Sequence, residues 1–387
     1  MMFSSGGAVT LNVTSRFMSA CVCVRKASSV YEIKASSRKE HDGFGDCEWF
    51  DPVQAEKCAR EALSEVAEKS RCGKKRVYIG VPGEFSAVVN RDVSVRLDRE
   101  RKVVDADIEY LIEKGKNFDT DGYTIINSSP VSFSLDASDK QYFDVRGMKA
   151  CRVAATVSYL LCENSFAEMF TNAARKVGFA DVRFVALPWA ESIALFEREA
   201  RSTPVLVADI GYLSSFAAVG VGFGLEDLAS FSVGRGHIAA EIYEKLGVSY
   251  DLAERALELV DLNLAYSPTD ILVADGGTHA VHAADAAETV RGVLRELAEF
   301  VSSVAESNNY PLRSTVYLTG DGITSLRGAD KFLSEQIGRN VEICAPKLAG
   351  FNKPADSSEA ALIIVAEQLR AESFGHQIKR AISGGKL

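Results

Sequence analysis

Val205-Leu206-Val207-Ala208-Asp209-Ile210-Gly211-Tyr212-Leu213-Ser214-Ser215-Phe216 is the stretch on which the reading of this chain turns. An apolar run of this length is a buried strand, and it delivers an aspartate to a glycine-containing turn followed by two hydroxyl residues. Backbone N–H groups and hydroxyls in such a turn can hold phosphate oxygens, while the carboxylate can hold Mg²⁺ through water. An ordinary hairpin with a capped turn is the competing reading. A second glycine turn, Leu318-Thr319-Gly320-Asp321-Gly322, again ends an apolar strand, and Gly234-Arg235-Gly236 lies between the two. Together they favour a nucleotide cleft.

Outward from this point the pattern is α/β. Upstream, alternation over residues 8–24 predicts two short strands joined near Thr14-Ser15-Arg16, and residues 36–50 read as a polar loop. Asp51-Pro52 predicts a helix start, and Ala55, Cys58, Ala59, Ala62, Leu63 and Val66 mark its apolar face. A strand is expected at Val77–Val81. Residues 83–160 are polar and strand-rich, with one amphipathic helix near Asp105–Lys116. A helix from Asn164 should stop at Gly178, followed by a strand at 182–187 and a helix from Pro188. At Val205 the pattern restarts. Strand pairs followed by helices, occurring twice, predict two similar lobes.

Composition excludes several classes. The 387 residues are 47% hydrophobic and 25% charged, which suits a folded chain with a large core. A net charge of −9 argues against nucleic acid as the main partner. The eight cysteines lack zinc-ligand spacing and read as reduced thiols. Pro204–Leu225 carries one charge, Asp209, yet its glycines and internal turn make it a strand pair rather than a membrane span. No basic region precedes the first apolar stretch, so a cytosolic protein is expected. There is no GxxxxGK[ST], GxSxG or HExxH motif. His279, His282 and Asp285 have helical spacing, but a solvated helix face explains them better than a metal does.

The order of motifs resembles that of the actin-like ATPase superfamily, and specifically the bacterial cell division protein FtsA family. The family's second phosphate motif, DIGGGTTD, is similar to Asp209–Phe216. Its glycine pair resembles Gly234-Arg235-Gly236-His237, its adenosine-side AE pair Ala253-Glu254, and its final LTGGG Leu318–Gly322. Asp144-Val145-Arg146-Gly147-Met148-Lys149-Ala150-Cys151-Arg152 resembles the family's DPxGMxGxRL, and Pro188-x-Ala190-x-Ser192 its proline-alanine segment.

The resemblance implies a two-lobed actin-like ATPase fold with a small inserted α+β subdomain. Residues 1–82 and 161–202 would form the first lobe, 83–160 the insertion, and 203–370 the second lobe, with a helical insertion at about 236–310. Residues 371–387 would be an amphipathic tail. ATP with Mg would contact Thr14, Ser15, Asp209, Gly211, Ser214, Ser215, Gly234, Gly236, Glu254, Gly320 and Gly322, with Asp209 holding the metal through water.

Departures from the pattern cluster around the nucleotide. The first phosphate loop, DxGTS[KR] in the family, falls on Leu11–Arg16, which puts Leu11 at the aspartate and Val13 at the glycine. In the second loop two glycines become Tyr212 and Leu213, whose side chains hinder backbone approach to phosphate. Weak or absent ATP hydrolysis is therefore expected, with no catalytic residue. In the tail, Phe374, Ile378 and Ile382 share one face at 100° per residue, with Lys379 and Arg380 on another; this suits an anionic membrane surface. The function implied is a self-associating tether between FtsZ polymers, with other divisome proteins, and the inner face of the cell membrane. A PilM-like platform for type IV pili, and an ATP-dependent kinase of the same fold, are the alternatives.

Overall fold

The same strand order occurs twice along the chain. The computed structural model describes residues 7–26, 30–276, 279–307 and 314–383, with side chains through residue 371. In chain order, β1 (Ala8–Val13), β2 (Phe17–Arg25) and β3 (Tyr31–Glu40) form an antiparallel meander. A small hairpin follows, β4 (Phe44–Gly45) and β5 (Glu48–Trp49), then α1 (Pro52–Ser70) and β6 (Arg76–Val81). Next come β7 (Ser86–Lys102), α2 (Asp105–Gly115), β8 (Tyr123–Leu135) and β9 (Lys149–Glu163), and after them α3 (Asn164–Val177), β10 (Asp181–Ala186) and α4 (Leu187–Leu195). The first sheet has the order β10-β6-β1-β2-β3, with β6 and β10 added parallel to β1.

From Val205 the pattern repeats. The meander is β11 (Val205–Ile210), β12 (Ser215–Val221) and β13 (Gly224–Phe231). Then come α5 (Arg235–Leu246), α6 (Tyr250–Leu259), β14 (Ile271–Ala274), β15 (Ala280–His282), α7 (Ala283–Ser307), β16 (Val316–Thr319), α8 (Ala329–Ile337), β17 (Val341–Ile343) and α9 (Ser357–Ser383). The second sheet is ordered β13-β12-β11-β16-β17, again three antiparallel strands and two parallel ones. The restart expected at Val205 is therefore a repeat of topology. The insertion between β6 and α3 makes its own sheet, β7-β9-β8, on which α2 packs through Leu111.

Alternation along the strands decides which helices go where. On β2, Met18, Ala20 and Val22 join Ala59, Leu63 and Phe170 of α1 and α3 in one core. Cys21 and Cys23 point the other way, to Ala360 and Ile363 of α9. A further core joins the lobes: Ala8 and Tyr78 from the first sheet, Phe216 and Ala218 from the second, with Ala190 of α4 and Leu362 of α9 between them. This shared layer fixes the C-terminal end of β11 against the β1–β2 turn.

Helix α1 begins as its sequence demands. The Asp51 carboxylate accepts the Gln54 N–H at 3.0 Å, with Pro52 at the first helical position. Asp51→Ala should lower stability by about 1 kcal/mol in urea unfolding, and an unchanged midpoint would show the cap to be idle. The polar loop expected at 36–50 is corrected: β3 continues to Glu40 and β4–β5 follow. β3 is an edge strand, with little beyond Ala35 and Ser37 buried, so its sequence carries almost no apolar alternation.

Candidate functional site

The turn after β11, the turn after β1, the turn after β16 and the first turns of α9 converge between the lobes. They leave a cavity of about 70 Å³ lined by Thr14, Ser15, Asp209, Gly211, Ser214, Ser215 and Gly320, among others. That is room for one or two waters, well below the several hundred Å³ that a nucleotide-sized ligand needs. Of the remaining residues expected at a nucleotide, Gly234, Gly236, Gly322 and Glu254 do not line it.

The groups that would hold phosphate are engaged within the chain. Thr14 Oγ1 accepts the Phe17 N–H at 3.0 Å, and Ser15 Oγ accepts the Leu213 N–H at 3.0 Å. Ser214 Oγ donates to Glu84 at 2.8 Å, and Ser215 Oγ donates to the Val233 carbonyl at 2.5 Å. Backbone N–H groups of the later glycine turns are bound as well. Arg235 N donates to Gly211 O at 3.0 Å, Gly236 N to Tyr212 O at 2.8 Å, and Gly322 N to Ile210 O at 2.7 Å. Glycine is required at 234 because a Cβ there would stand 2.4 Å from Gly211 O. The three turns thus close on each other.

Tyr212 and Leu213 take up the space in front of them. The Tyr212 hydroxyl donates to Glu254 at 3.0 Å and lies 2.9 Å from the Tyr250 hydroxyl. The Arg16 guanidinium sits 4.4 Å above the Tyr212 ring, a cation–π contact from one lobe to the other. Burial, Tyr250 and Glu254 all hold the Tyr212 phenol in its neutral form. A Cβ on Gly236 would meet Leu213 Cδ2 at 2.8 Å and the Tyr212 ring at 3.2 Å. Glu254, expected beside the nucleoside, therefore holds a tyrosine.

Behind this plug lies a cluster of carboxyl groups that sequence reasoning largely missed. Glu84, Glu191, Asp209, Asp321, Asp356 and Glu359 all line the cavity, together with Arg38. Burial pushes Asp209 up to about 7, assisted by Asp321 and Glu84, and lifts Glu359 to about 7. Burial raises Glu84, Asp321 and, most of all, Glu191, whose neighbour Asp209 raises it further. No N–H or hydroxyl donates to the Glu191 oxygens, so the Glu191–Asp209 hydrogen bond requires that one of the two keep its proton. The one available signal was a single acid inside the apolar helix Leu187-Pro-Trp-Ala-Glu-Ser-Ile-Ala-Leu195.

These residues do not fit a nucleoside triphosphate with its metal. A polyphosphate would meet six acids, hydroxyls of Thr14, Ser214 and Ser215 already bonded within the chain, and two large side chains in its place. Asp209, whose burial favours its protonated form, is also a poor organiser of metal-bound water. Among the described residues no group of three His, Cys, Asp or Glu side chains is placed to hold a metal. The helical reading of His279, His282 and Asp285 is corrected: His282 ends β15, Asp285 lies in the first turn of α7, and His279 pairs with Asp275 at 3.1 Å. The membrane-contacting tail expected at Phe374, Ile378, Lys379, Arg380 and Ile382 lies outside the described side chains, although the backbone is helical to Ser383.

No family profile and no curated protein sequence matches this chain. Solved structures do. The PilM–PilN type IV pilus biogenesis complex superposes with a TM-score of 0.62 at 16% identity, over 94% of this chain and 99% of that one. The ethanolamine utilization protein EutJ from Carboxydothermus hydrogenoformans gives 0.52 at 14% identity, over 92% and 88%. MreB5 of Spiroplasma citri bound to AMPPNP gives 0.50 at 11% identity, over 99% and 100%. The chain has the actin-like ATPase fold, in two lobes with a small subdomain inserted in the first.

Proposed function

We propose that this chain is a protein-binding assembly platform built on the actin-like fold and that it works without a nucleotide. The observation that carries the reading is the filled cleft: Tyr212, bonded to Glu254 and stacked under Arg16, stands where the second phosphate loop of such a fold needs bare backbone. With the cleft filled, the lobes are held by the chain's own contacts, and what remains to do work is the outer surface. An adaptor for pilus assembly is supported by the likeness to PilM in complex with PilN along nearly the whole of both chains.

The tether between FtsZ and the membrane is the second reading, favoured by the inserted subdomain. In its Asp144–Arg152 segment Asp144 clasps Arg146 at 2.7 Å and faces Arg198, just beyond α4, at 3.5 Å. The kinase alternative falls back because Leu11 and Val13, fully buried, replace the acid and glycine of the first loop.

Titrating Mg·ATP into the full chain by calorimetry should give no saturable heat up to about 1 mM, whereas micromolar binding would refute nucleotide independence. Co-sedimentation with purified FtsZ separates the two platform readings: FtsZ brought down by the chain would favour the tether.

A further inference from the structure

A groove of about 650 Å³ opens on the first lobe between the β4–β5 hairpin, the start of α1 and the passage from β9 into α3. Its floor is apolar: Trp49 lies parallel to Phe85, at 6.0 Å and 9°, beside Met169. Val53, which lines it, is 77% exposed, and Phe50, next to Trp49 in the chain, is 70% exposed. Its rim is acidic. Asp46, Glu48, Glu56 and Glu163 line it with no Lys, Arg or His among the lining residues. Of these, Glu56 is paired with Lys176 at 2.5 Å; Asp46, Glu48 and Glu163 form no ion pair among the described residues. An apolar trough with an unneutralised acidic rim suits an amphipathic segment with basic flanks.

This chain carries such a segment. Residues 373–387 hold Lys379, Arg380 and Lys386 and no acid, and Phe374, Ile378 and Ile382 follow one another at the four-residue spacing of a helix stripe. The backbone there continues α9 as unbroken helix to Ser383. The segment cannot serve its own groove. α9 packs on the sheet face that carries Cys21 and Cys23, whereas α1 and α3, which border the groove, pack on the opposite face. An unbroken helix leads away from α9 at 1.5 Å per residue and cannot turn around the sheet edge.

We infer that the basic amphipathic segment 373–387 of one copy docks in the acidic groove of a second copy, so that the chain associates head to tail. Phe374, Ile378 and Ile382 meet the floor at Trp49 and Phe85, while Lys379 and Arg380 face Asp46 and Glu48. The contact joins two different surfaces, so each added copy leaves one groove and one tail free, and the assembly grows as an open row.

Sedimentation velocity on the full chain tests this over about 1 to 100 µM, the range of a weak protein contact. Association should rise with concentration. The groove variant Asp46→Asn with Glu48→Lys and the tail variant Lys379→Glu with Arg380→Glu should each weaken it by about tenfold or more. Asp46 and Glu48 are exposed, and circular dichroism checks that each variant folds. Combining the Glu48→Lys change with the tail variant should restore association, and mixing the groove and tail variants should restore it too, because the altered groove and altered tail complement each other as the unaltered pair does. A chain that stays monomeric throughout overturns the proposal. So does a groove variant that associates like the parent while the tail variant alone loses pelleting with vesicles of equal phosphatidylglycerol and phosphatidylcholine; the segment would then serve a lipid surface.

Discussion

Gly320→Ala should cost the protein about 3 to 5 kcal/mol of stability in urea unfolding. Gly320 has φ +95, and a Cβ there would stand 2.3 Å from Asp209 Oδ1, 2.4 Å from Ile210 O and 2.8 Å from Ile210 N. Two of those three atoms are backbone at the end of β11, so the strand or the turn after β16 must move. Gly338→Ala is the control. Its φ is +69, but nothing lies within 4 Å of the added carbon, so only the left-handed conformation is penalised, by about 1 kcal/mol. Equal losses in the two variants would mean that the turns are not packed as described, and the filled cleft would lose its support.

Glu191→Gln should stabilise the protein at pH 8 by about 2 kcal/mol and change little at pH 4. The sign follows from the proton that Glu191 and Asp209 share. Asp209 holds its proton to about 7 when folded and releases it near 3.9 when unfolded, so the folded state binds more protons in between. Stability from this source is complete below about pH 4 and is lost as the pH rises through about 7, and Glu359 adds a loss of the same sign. A glutamine amide donates to Asp209 at any pH, so the variant should show a flatter profile between about pH 4 and 7. If Glu191→Gln and the parent run parallel from pH 5 to 8, the carboxyl pair does not govern the pH response.

Elements whose burial repeats at a helix or strand period were legible from the residues. α1 with its Asp51 cap, α3 ending at Gly178, and β11 fall where pattern and punctuation put them. Elements stabilised mainly by a neighbour were not: β3 and the β4–β5 hairpin expose most of their side chains and owe their shape to β2 and to the Phe44–Trp49–Phe85 ring cluster. Sequence placed Thr14, Ser15, Asp209 and the glycine turns together. It could not disclose that Tyr212 reaches Glu254, a contact 42 positions away. Glu84, Glu191 and Glu359 were invisible for a related reason, since each stands singly in its own segment and only the fold assembles them.

The core shared by both sheets has a thermodynamic consequence. Because Leu362 and Ala190 pack against Tyr78 on one side and Phe216 on the other, neither lobe can melt without stripping the helices that cover its partner. The two lobes are therefore a single cooperative folding unit despite their repeated topology. The inserted subdomain, with Val93, Leu111, Val157 and Tyr159 in a core of its own, is the part able to open first, and a heating scan should resolve it as an early, smaller transition.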